Sequence, residues 1–427
     1  MTGSRTDYYA ATCLPLTLPV HQGVKEVEVC VVGGGFAGLN TALGLIERGV
    51  TSVAVLEAQE PGWGASGRNG GFVFAGYSRS PEYLLSALGP ERARSLYGGT
   101  LSAIETIRSR IGQYDIACDA VQEGVLWANW FRDPKPLRSH LDLMRRYFHH
   151  HLEWVDRSRL RDMIKTERYF DALLEPEGFH FHPLKYAQGL VSVIQKGGGS
   201  VYARSPATKL LRDGAGWRIL TPLGQIQAKT VVLACGGYLA GLVPKVDRSV
   251  MPIATYVVCT EPLGGRLAEV LNTRAAIYDT RFAFDYYRAL PDTRILWGGR
   301  ISVCDRSPHA VRRLLSADMA KVFPQLKGVK IDHAWSGLMS YARHQIPTIG
   351  QVDTGLWVAQ AFGGHGVGPT THAGEIVAAG IAEGDTRWKE FSSYGLSSAF
   401  KPAGFAAAQA NYWWAQARDA FQSWRDR

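Results

Sequence analysis

The sequence predicts an α/β fold of two domains, one assembled from separated βαβ segments and one (α+β) built on an antiparallel sheet. A chain of 427 residues is long enough for two or three domains. Two stretches, 26–58 and 184–237, contain short apolar strands of the kind found in buried parallel sheets. Strands at 250–262 and 294–301 are longer and indicate a different, antiparallel sheet. The chain is therefore expected to leave the first domain and to return to it.

Each stretch supports this organisation with particular elements. The expected strands are Glu26–Val32, Val53–Leu56, Gly124–Ala128, Ser200–Arg204, Trp217–Thr221, Thr230–Cys235 and Leu356–Gln360, and the expected helices are Leu39–Arg48, Leu184–Gln195, Thr370–Glu383 and segments within Pro81–Tyr114. The tail from Phe405 to Trp424 is predicted to be a helix docked on the body, because it lacks the cationic face of a membrane-bound helix.

Composition excludes several classes of protein. Hydrophobic residues make up 46% of the chain and charged residues 20%, which is typical of a large buried core and excludes a disordered chain. The six cysteines form no CxxC pair, so zinc, iron–sulfur and disulfide frameworks are disfavoured and a reducing compartment is favoured. No apolar run reaches about 18 residues, and residues 1–20 lack the apolar segment of a signal peptide. A cytoplasmic protein without a membrane span is expected.

The net charge of +9 is partly concentrated between residues 131 and 165, where nine basic residues face five acidic ones. We interpret this stretch as the solvated face of a helix, Leu137–Leu152, that carries Arg145, Arg146 and His149–His151. No nucleic-acid partner is expected, because no RNA-binding motif or DNA-reading helix accompanies the charge. The same positive charge would also favour the binding of an anionic substrate.

The strongest motif is a glycine-rich turn between the first strand and the first helix. It reads Gly33-x-Gly35-x-x-Gly38, and Glu57 follows at the end of the next strand, 22 residues after Gly35. Gly33 permits the tight turn, Gly35 lets the backbone approach a pyrophosphate, and Gly38 lets helix and strand pack closely. The helix N-terminus attracts phosphate, and Glu57 can accept hydrogen bonds from a ribose diol while repelling a 2′-phosphate. A dinucleotide other than NADP is predicted.

A second glycine-rich loop, Gly62–Gly71, follows the ribose-binding acid. It contains five glycines in ten residues, together with Ser66 and Arg68, whose side chains can donate hydrogen bonds to phosphate oxygens. Such a loop can lie under a flavin and its phosphates, which makes FAD a better candidate than NAD.

Blocks from residue 8 to beyond residue 370 match a known superfamily. They are Tyr8–Ala11, Val31–Gly35, Gly64–Gly71, His182–Leu184, Asp285–Arg288, Phe323–Asp332 and Gly364–Val367. On these blocks the sequence resembles the D-amino-acid oxidase/glycine oxidase superfamily of FAD-dependent oxidoreductases and, within it, the bacterial gamma-glutamylputrescine oxidases.

The resemblance implies a Rossmann-like FAD-binding domain assembled from separated segments (26–75, 184–249 and 346–390), an antiparallel-sheet substrate domain (76–183 and 250–345) and a C-terminal helical tail (391–427). It implies that the turn Gly363–Val367 lies under the isoalloxazine, where a helix dipole stabilises the reduced flavin. Some members of this superfamily attach the flavin covalently, through a histidine in the early glycine loop or a cysteine near the late strand. Here the loop carries Arg68 and Asn69, and Trp335–Tyr341 has no cysteine, so the resemblance implies non-covalent FAD. The cofactor-binding candidates are Gly33, Gly35, Phe36, Ala37, Gly38, Glu57, Ala58, Ser66, Gly67, Arg68, Asn69, Gly70, Gly71, Gly236, Gly363, Gly364, His365, Gly366 and Val367.

The reaction implied by the resemblance is hydride transfer from an amine-bearing carbon to flavin N5, after which water hydrolyses the imine. An aromatic pocket favours the neutral amine that this step needs, and Tyr286, Tyr287 and Trp297 are candidates for its walls. Strand alternation lets only one of Tyr286 and Tyr287 face a cavity. The remaining candidates are Arg288 or Arg343 as a clamp for a substrate carboxylate, His365 in the flavin-contacting turn, and His344 as a weaker choice.

The expected substrate is a gamma-glutamylated polyamine or a related amino acid or secondary amine. Two other functions stay open from the residues: an oxidase of sarcosine-like N-alkyl amino acids, and a non-catalytic FAD-binding maturation partner of another enzyme. A tRNA-modifying flavoenzyme is motivated only by the charge. The electron acceptor is either oxygen or a respiratory carrier, and a protein partner is compatible with the basic 131–165 stretch.

Overall fold

The computed structural model describes residues 7–426. The strands of this part of the chain are β1 (Gly23–Val32), β2 (Val53–Leu56), β3 (Phe72–Val73), β4 (Val125–Ala128), β5 (Glu153–Val155), β6 (Ala172–Glu175), β7 (Phe179–His180), β8 (Ser200–Tyr202), β9 (Lys209–Asp213), β10 (Gly216–Thr221), β11 (Gly224–Leu233), β12 (Met251–Thr260), β13 (Ala276–Asp279), β14 (Tyr286–Ala289), β15 (Ile295–Ser302), β16 (Ile331–Tyr341), β17 (Thr348–Asp353) and β18 (Leu356–Gln360). The α-helices are α1 (Tyr8–Ala11), α2 (Phe36–Glu47), α3 (Pro81–Leu88), α4 (Pro90–Gln113), α5 (Lys135–Leu143), α6 (Arg157–Met163), α7 (Pro183–Lys196), α8 (Pro244–Asp247), α9 (Pro308–Val322), α10 (Val367–Ala382), α11 (Lys389–Ser392) and α12 (Ala403–Arg425).

The first large sheet is parallel at its centre. Its order is β17-β18-β11-β1-β2-β8, and every neighbouring pair from β18 to β8 is parallel. The N-terminal half of β11 also pairs with β10, which pairs with β9. Strands β2 and β18 are wholly buried, and β1 and β11 are buried toward their carboxyl ends, as expected of apolar strands covered on both faces. The predicted parallel sheet, assembled from distant parts of the chain, is confirmed.

The second large sheet has the order β16-β12-β15-β14-β13-β4-β6-β5. All its pairs are antiparallel except β13 and β4. One face packs against α9 through a buried core that includes Val258, Val311 and Leu315. The opposite face borders a large cavity. The antiparallel sheet predicted from 250–262 and 294–301 is therefore present, with one parallel pair inside it.

Helices α2, α7 and α10 cover one face of the parallel sheet, and α4 packs against α10. Buried Arg110 joins α4 to α2 and α10, because its guanidinium forms ion pairs with Glu47 and Glu375. The structure thus places α4, which lies in the sequence segment assigned to the substrate domain, against a helix of the FAD-binding segment. The domain boundaries given above stay a prediction.

The structure corrects the prediction of one continuous helix over Leu137–Leu152. Helix α5 ends at Leu143, a π-helical turn spans Met144–Phe148, and His149 adopts a left-handed conformation with φ 52°. Arg145 remains exposed, but His150 turns inward and is buried. The extra residue of a π-turn rotates the following chain, and such turns are frequent at functional sites.

The C-terminal helix docks on the body, as predicted, but by fewer of its aromatic residues than the sequence suggests. Tyr412 is buried, and its hydroxyl accepts a hydrogen bond from the Ile301 amide. Trp413, Phe421 and Trp424 are exposed. None of the helices described between residues 7 and 426 is both long and apolar enough to cross a lipid bilayer.

Candidate active site

A cavity of about 2400 Å³ lies between the two large sheets. Val32, Leu56, Ala234 and Ala359 line it from the carboxyl ends of parallel strands. Ligands of open α/β sheets bind at this edge. Drug-sized ligands usually occupy about 300–1,000 Å³, so this space is large enough for a dinucleotide together with a substrate. All the predicted cofactor-binding residues line the cavity except Gly38, Gly67 and Gly71. At each of these three glycines an added Cβ would clash with a backbone oxygen.

The glycine-rich turn after β1 begins the cavity. Gly33 has φ +113°, which disfavours any residue with a side chain, and a Cβ there would lie 2.5 Å from the Ala234 oxygen. Helix α2 starts at Phe36, and Gly35 precedes it without a side chain to cap it. The helix therefore presents its amide groups and the positive end of its dipole to the cavity.

Glu57 is held against this turn. Its Oε2 accepts a hydrogen bond of 2.7 Å from the Gly34 amide, and its Oε1 accepts one of 2.8 Å from the Gln59 amide. Burial raises the pKa of Glu57, and these amide hydrogen bonds oppose the shift. Each carboxylate oxygen still has acceptor capacity, because a carboxylate offers about four lone-pair sites.

The second glycine-rich loop is fixed by its polar side chains. Ser66 Oγ accepts a hydrogen bond of 2.8 Å from the Phe36 amide, so its own proton is available to another acceptor. Arg68 Nε donates to the Trp63 carbonyl at 2.7 Å. Asn69 Oδ1 accepts from the Gly71 amide at 2.7 Å and closes the turn. Ser66 thus joins this loop to the start of α2.

The glycine-rich turn Gly363–Val367, called the late glycine turn below, forms another part of the cavity wall. Gly363 has φ +68°, and a Cβ there would lie 2.2 Å from Ser78 Oγ. The turn leads into α10, which begins at Val367 after Gly366 and has no side-chain cap. His365 lines the cavity, with Nε2 3.3 Å from the Phe74 carbonyl oxygen. Burial lowers the pKa of His365, so the neutral ring is favoured.

Aromatic side chains from the second sheet face this turn. Tyr278 and Tyr286 line the cavity together with Phe74. The Phe74 ring centroid lies 4.0 Å from that of His365 and 5.1 Å from that of Tyr278. A ligand between the late glycine turn and this sheet therefore meets a largely apolar, aromatic wall.

Two predicted wall residues lie on the other face of the sheet. Tyr287 and Trp297 are fully buried and stack at 4.4 Å between ring centroids, against Phe323 behind the sheet. Neither lines the cavity. Successive side chains of a strand point to opposite faces of the sheet, so Tyr286 faces the cavity and Tyr287 does not.

Arg288 is not placed to clamp a substrate. It is buried and does not line the cavity. Its Nε donates to the Gly70 carbonyl at 2.7 Å, and its other nitrogens lie within hydrogen-bond distance of Phe181 O, Tyr9 Oη and His180 Nδ1. The guanidinium anchors the second glycine-rich loop to the sheet.

Arg343 and His344 also differ in position. Arg343 is exposed at the cavity wall, with its guanidinium carbon 5.3 Å from the centroid of the Phe400 ring. His344 does not line the cavity, and its Nδ1 accepts a hydrogen bond from the Ile346 amide. Of the two arginines predicted to bind a substrate carboxylate, Arg343 is therefore the one that lines the cavity.

A buried polar group in the same wall was not predicted from the sequence. It consists of Glu175, His150 and Tyr97, all of which line the cavity. Glu175 Oε1 lies 3.4 Å from His150 Nε2, and Tyr97 Oη lies 3.0 Å from His150 Nδ1. The sequence did contain an indication that Glu175 is a site residue. It ends the apolar strand Ala172–Glu175, just as Glu57 follows the apolar strand β2. No sequence pattern marked His150.

These features fit FAD. A diphosphate suits the start of α2, where the bare backbone of Gly33 and Gly35 and the side chain of Ser66 line the cavity. A ribose diol suits Glu57. The flavin ring system suits the space between the start of α10 and the aromatic wall, where a helix N-terminus stabilises negative charge on a reduced flavin.

Comparisons with known proteins agree with this assignment. Residues 28–379 match the family described as DAO, FAD dependent oxidoreductase. The chain is 37% identical over 382 residues to gamma-glutamylputrescine oxidoreductase of Escherichia coli (strain K12), which covers 88% of this chain and 89% of that protein.

Two solved structures share the fold. Glycine oxidase from Geobacillus kaustophilus superposes with a TM-score of 0.72 at 21% identity, over 87% of this chain and 99% of that one. L-proline dehydrogenase from P. horikoshii superposes with a TM-score of 0.71 at 18% identity, over 88% of this chain and 98% of that one. The chain belongs to the DAO family of FAD-dependent oxidoreductases, and it is an FAD-dependent enzyme that oxidises the C–N bond of an amine.

Proposed function

We propose that the substrate is a gamma-glutamylated polyamine, or a closely related extended amine, and that FAD is bound without a covalent link. The observation that carries this proposal is the cavity, which continues from the aromatic wall to the inner side of α12. A small amino acid would leave most of such a space filled with water. The E. coli relative named for gamma-glutamylputrescine supports the same substrate class.

The chain's residues bind and orient the two reactants. Glu57 and the start of α2 hold the nucleotide end of the cofactor, and Ser66 and Arg68 are proposed to steady its diphosphate. When bound, FAD supplies the acceptor for the hydride that leaves the amine-bearing carbon. Phe74, Tyr278 and Tyr286 exclude water from that carbon, and a partly desolvated site favours the neutral amine whose lone pair drives the reaction.

Further proposed roles follow from position. His365, neutral and part of the late glycine turn, lies where it can contact substrate or flavin. Arg343, exposed at the cavity wall, is proposed to bind the substrate carboxylate. Water entering after the reaction hydrolyses the imine product. Tyr287, Trp297 and Arg288 have no contact with substrate in this proposal, because they lie outside the cavity.

The test is an anaerobic titration of the purified yellow protein, with flavin absorbance near 450 nm as the readout. Gamma-glutamylputrescine should bleach the flavin, whereas gamma-glutamylbutylamine, which lacks the terminal amine, should leave it oxidised. Bleaching by sarcosine, but not by gamma-glutamylputrescine, would establish the N-alkyl amino acid oxidase instead. A flavin that neither of these amines bleaches would refute the proposed substrate class.

The electron acceptor needs a separate measurement. After anaerobic reduction, the protein is mixed with dissolved oxygen or with a soluble quinone, and the rates of flavin reoxidation are compared. The faster reaction distinguishes an oxidase from an enzyme that passes electrons to a respiratory carrier.

A further inference from the structure

A buried carboxylate without a fixed cationic partner lies in the cavity wall. Glu175 is 7% exposed, and its Oε1 accepts a hydrogen bond of 3.0 Å from the Ala75 amide. Within residues 7–426, no lysine or arginine forms an ion pair with it, and His150 is its ionisable neighbour. A buried carboxylate is costly unless a cation or several hydrogen bonds compensate it. The arrangement is suited to a cation that arrives with a ligand.

His150 provides an independent indication of a ligand site. Its side chain is more than nine-tenths buried and lines the same cavity. Tyr97 Oη lies 3.0 Å from Nδ1, whereas Nε2 has no hydrogen-bond partner among the described residues and lies 3.4 Å from Glu175 Oε1. When Tyr97 donates to Nδ1, the ring carries its proton on Nε2, toward the carboxylate. The His150 ring is therefore oriented toward Glu175, but it leaves part of the hydrogen-bonding capacity of the carboxylate unused.

The Glu175 carboxylate lies at the same end of the cavity as the late glycine turn. A Cβ on Gly76, which follows the amide bound by Glu175, would lie 3.6 Å from His365 Cε1 and from a Tyr97 ring carbon. Burial raises the pKa of Tyr278, and the charge of Glu175 raises it further. Glu175 is thus close to both His365 and the aromatic wall.

We infer that Glu175 receives the ammonium group of the substrate, and that His150 and Tyr97 are positioning residues that orient its carboxylate. The inference rests on the proposed function and deepens it. An incoming alkylammonium donates N–H groups to the carboxylate, while the faces of Phe74 and Tyr278 offer an electron-rich surface to the cation.

The same contact prepares the amine for oxidation. An N–H bond of the ammonium breaks, its proton moves to a Glu175 carboxylate oxygen, and the electron pair of that bond stays on nitrogen as the lone pair. Both partners of the buried ion pair become neutral in this step, which a desolvated site favours. The neutral amine, with its lone pair free, is then the form that the oxidation of the proposed function requires. The site is expected to select primary or secondary amines over neutral alcohols and amides.

The test uses holoenzyme and a pair of ligands that cannot react. tert-Butylammonium has no hydrogen on the carbon next to nitrogen, so it cannot be oxidised, and tert-butanol is its neutral counterpart of the same size. Dissociation constants are measured from the change that each ligand causes in the flavin absorption spectrum. Wild-type protein should prefer the ammonium by about 10- to 150-fold, the range of a charge-assisted hydrogen bond.

Glu175→Gln should reduce this preference to within about threefold, because the amide still accepts the Ala75 N–H but carries no charge. Glu175→Asp should restore part of the preference if Gln disturbs the fold. Glu82→Gln is the matched control, since Glu82 also lines the cavity and lies 2.8 Å from a histidine, His140. This control should keep the wild-type preference.

The positioning role has its own readout. His150→Gln and Tyr97→Phe should lower the ammonium preference and shift the pH profile of flavin reduction, while the affinity for tert-butanol stays unchanged. A wild type without ammonium preference, or a Glu175→Gln protein that retains it, would overturn the inference. Gamma-glutamylputrescine could still bleach the flavin in either case, so this failure is distinguishable from failure of the proposed function.

Discussion

Replacement of Gly38 by alanine tests the closest approach in the dinucleotide site. A Cβ at Gly38 would lie 1.9 Å from the Gly33 carbonyl oxygen, where ordinary contact begins at 3.4 Å. Helix and turn must therefore separate by about 1.5 Å. A shift of that size would break the 2.7 Å hydrogen bond from the adjacent Gly34 amide to the Glu57 carboxylate and displace the start of α2.

The expected loss is that of one hydrogen bond between the displaced start of α2 and the diphosphate. A hydrogen bond to a charged group contributes about 1.5–3 kcal/mol, which corresponds to about 10- to 150-fold weaker FAD binding. Dissociation constants are measured by quenching of flavin fluorescence when FAD is added back to apoprotein.

Gly98→Ala is the control for a helical glycine, because nothing lies within 4 Å of a Cβ at that position. It should bind FAD normally and gain stability, since alanine favours a helix over glycine by about 1 kcal/mol. Wild-type FAD affinity in Gly38→Ala would refute the close-packing argument.

The remaining predictions concern the ribose, an anchor and acid stability. Glu57→Ala should weaken FAD retention by about tenfold or more, measured by equilibrium dialysis, because a carboxylate hydrogen bond to the ribose is lost; unchanged retention would contradict that role. Arg288→Met should lower the unfolding free energy by about 3 kcal/mol or more in urea titrations, because buried carbonyl groups lose their donor, and an unaltered midpoint would argue against the anchor. Burial and the charge of Arg288 lower the pKa of His180 to about 3, so the folded state binds fewer protons than the unfolded state between about pH 6 and 4. Wild-type protein should therefore lose about 1.4 kcal/mol per pH unit relative to His180→Gln as the pH falls through that range, and parallel stability curves for the two proteins would contradict the prediction.

Local sequence patterns were sufficient where a structure depends on neighbours along the chain. The strands Val53–Leu56 and Leu356–Gln360 have the predicted bounds, because each is a short apolar run between turn residues. Helices α2 and α10 begin three residues before their predicted starts, at Phe36 and Val367, because the glycines before them allow the helix to begin directly at the turn. The glycine spacing and the acid after β2 likewise predicted that Gly33, Gly35 and Glu57 lie together, and these residues line one cavity.

The substrate end depended on packing between distant segments. Alternation showed that Tyr286 and Tyr287 face opposite sides of a strand, but only the position of α9 decided that Tyr287 is buried behind the sheet. In the sequence, Arg288 could not be distinguished from an arginine that binds a substrate carboxylate. In the structure its guanidinium donates hydrogen bonds to the backbone carbonyls of Gly70 and Phe181 instead. The expected role of Arg343 in binding substrate stays a prediction.

The sequence by itself determined the family, the parallel sheet and the glycine-rich turn before α2, since these are specified by residues a few positions apart. Only the tertiary structure brought Tyr97, His150 and Glu175 together, from a helix, the chain after a π-turn and the end of a strand. Their proximity results from burial and from contacts between segments far apart in sequence, and no local periodicity encodes such contacts.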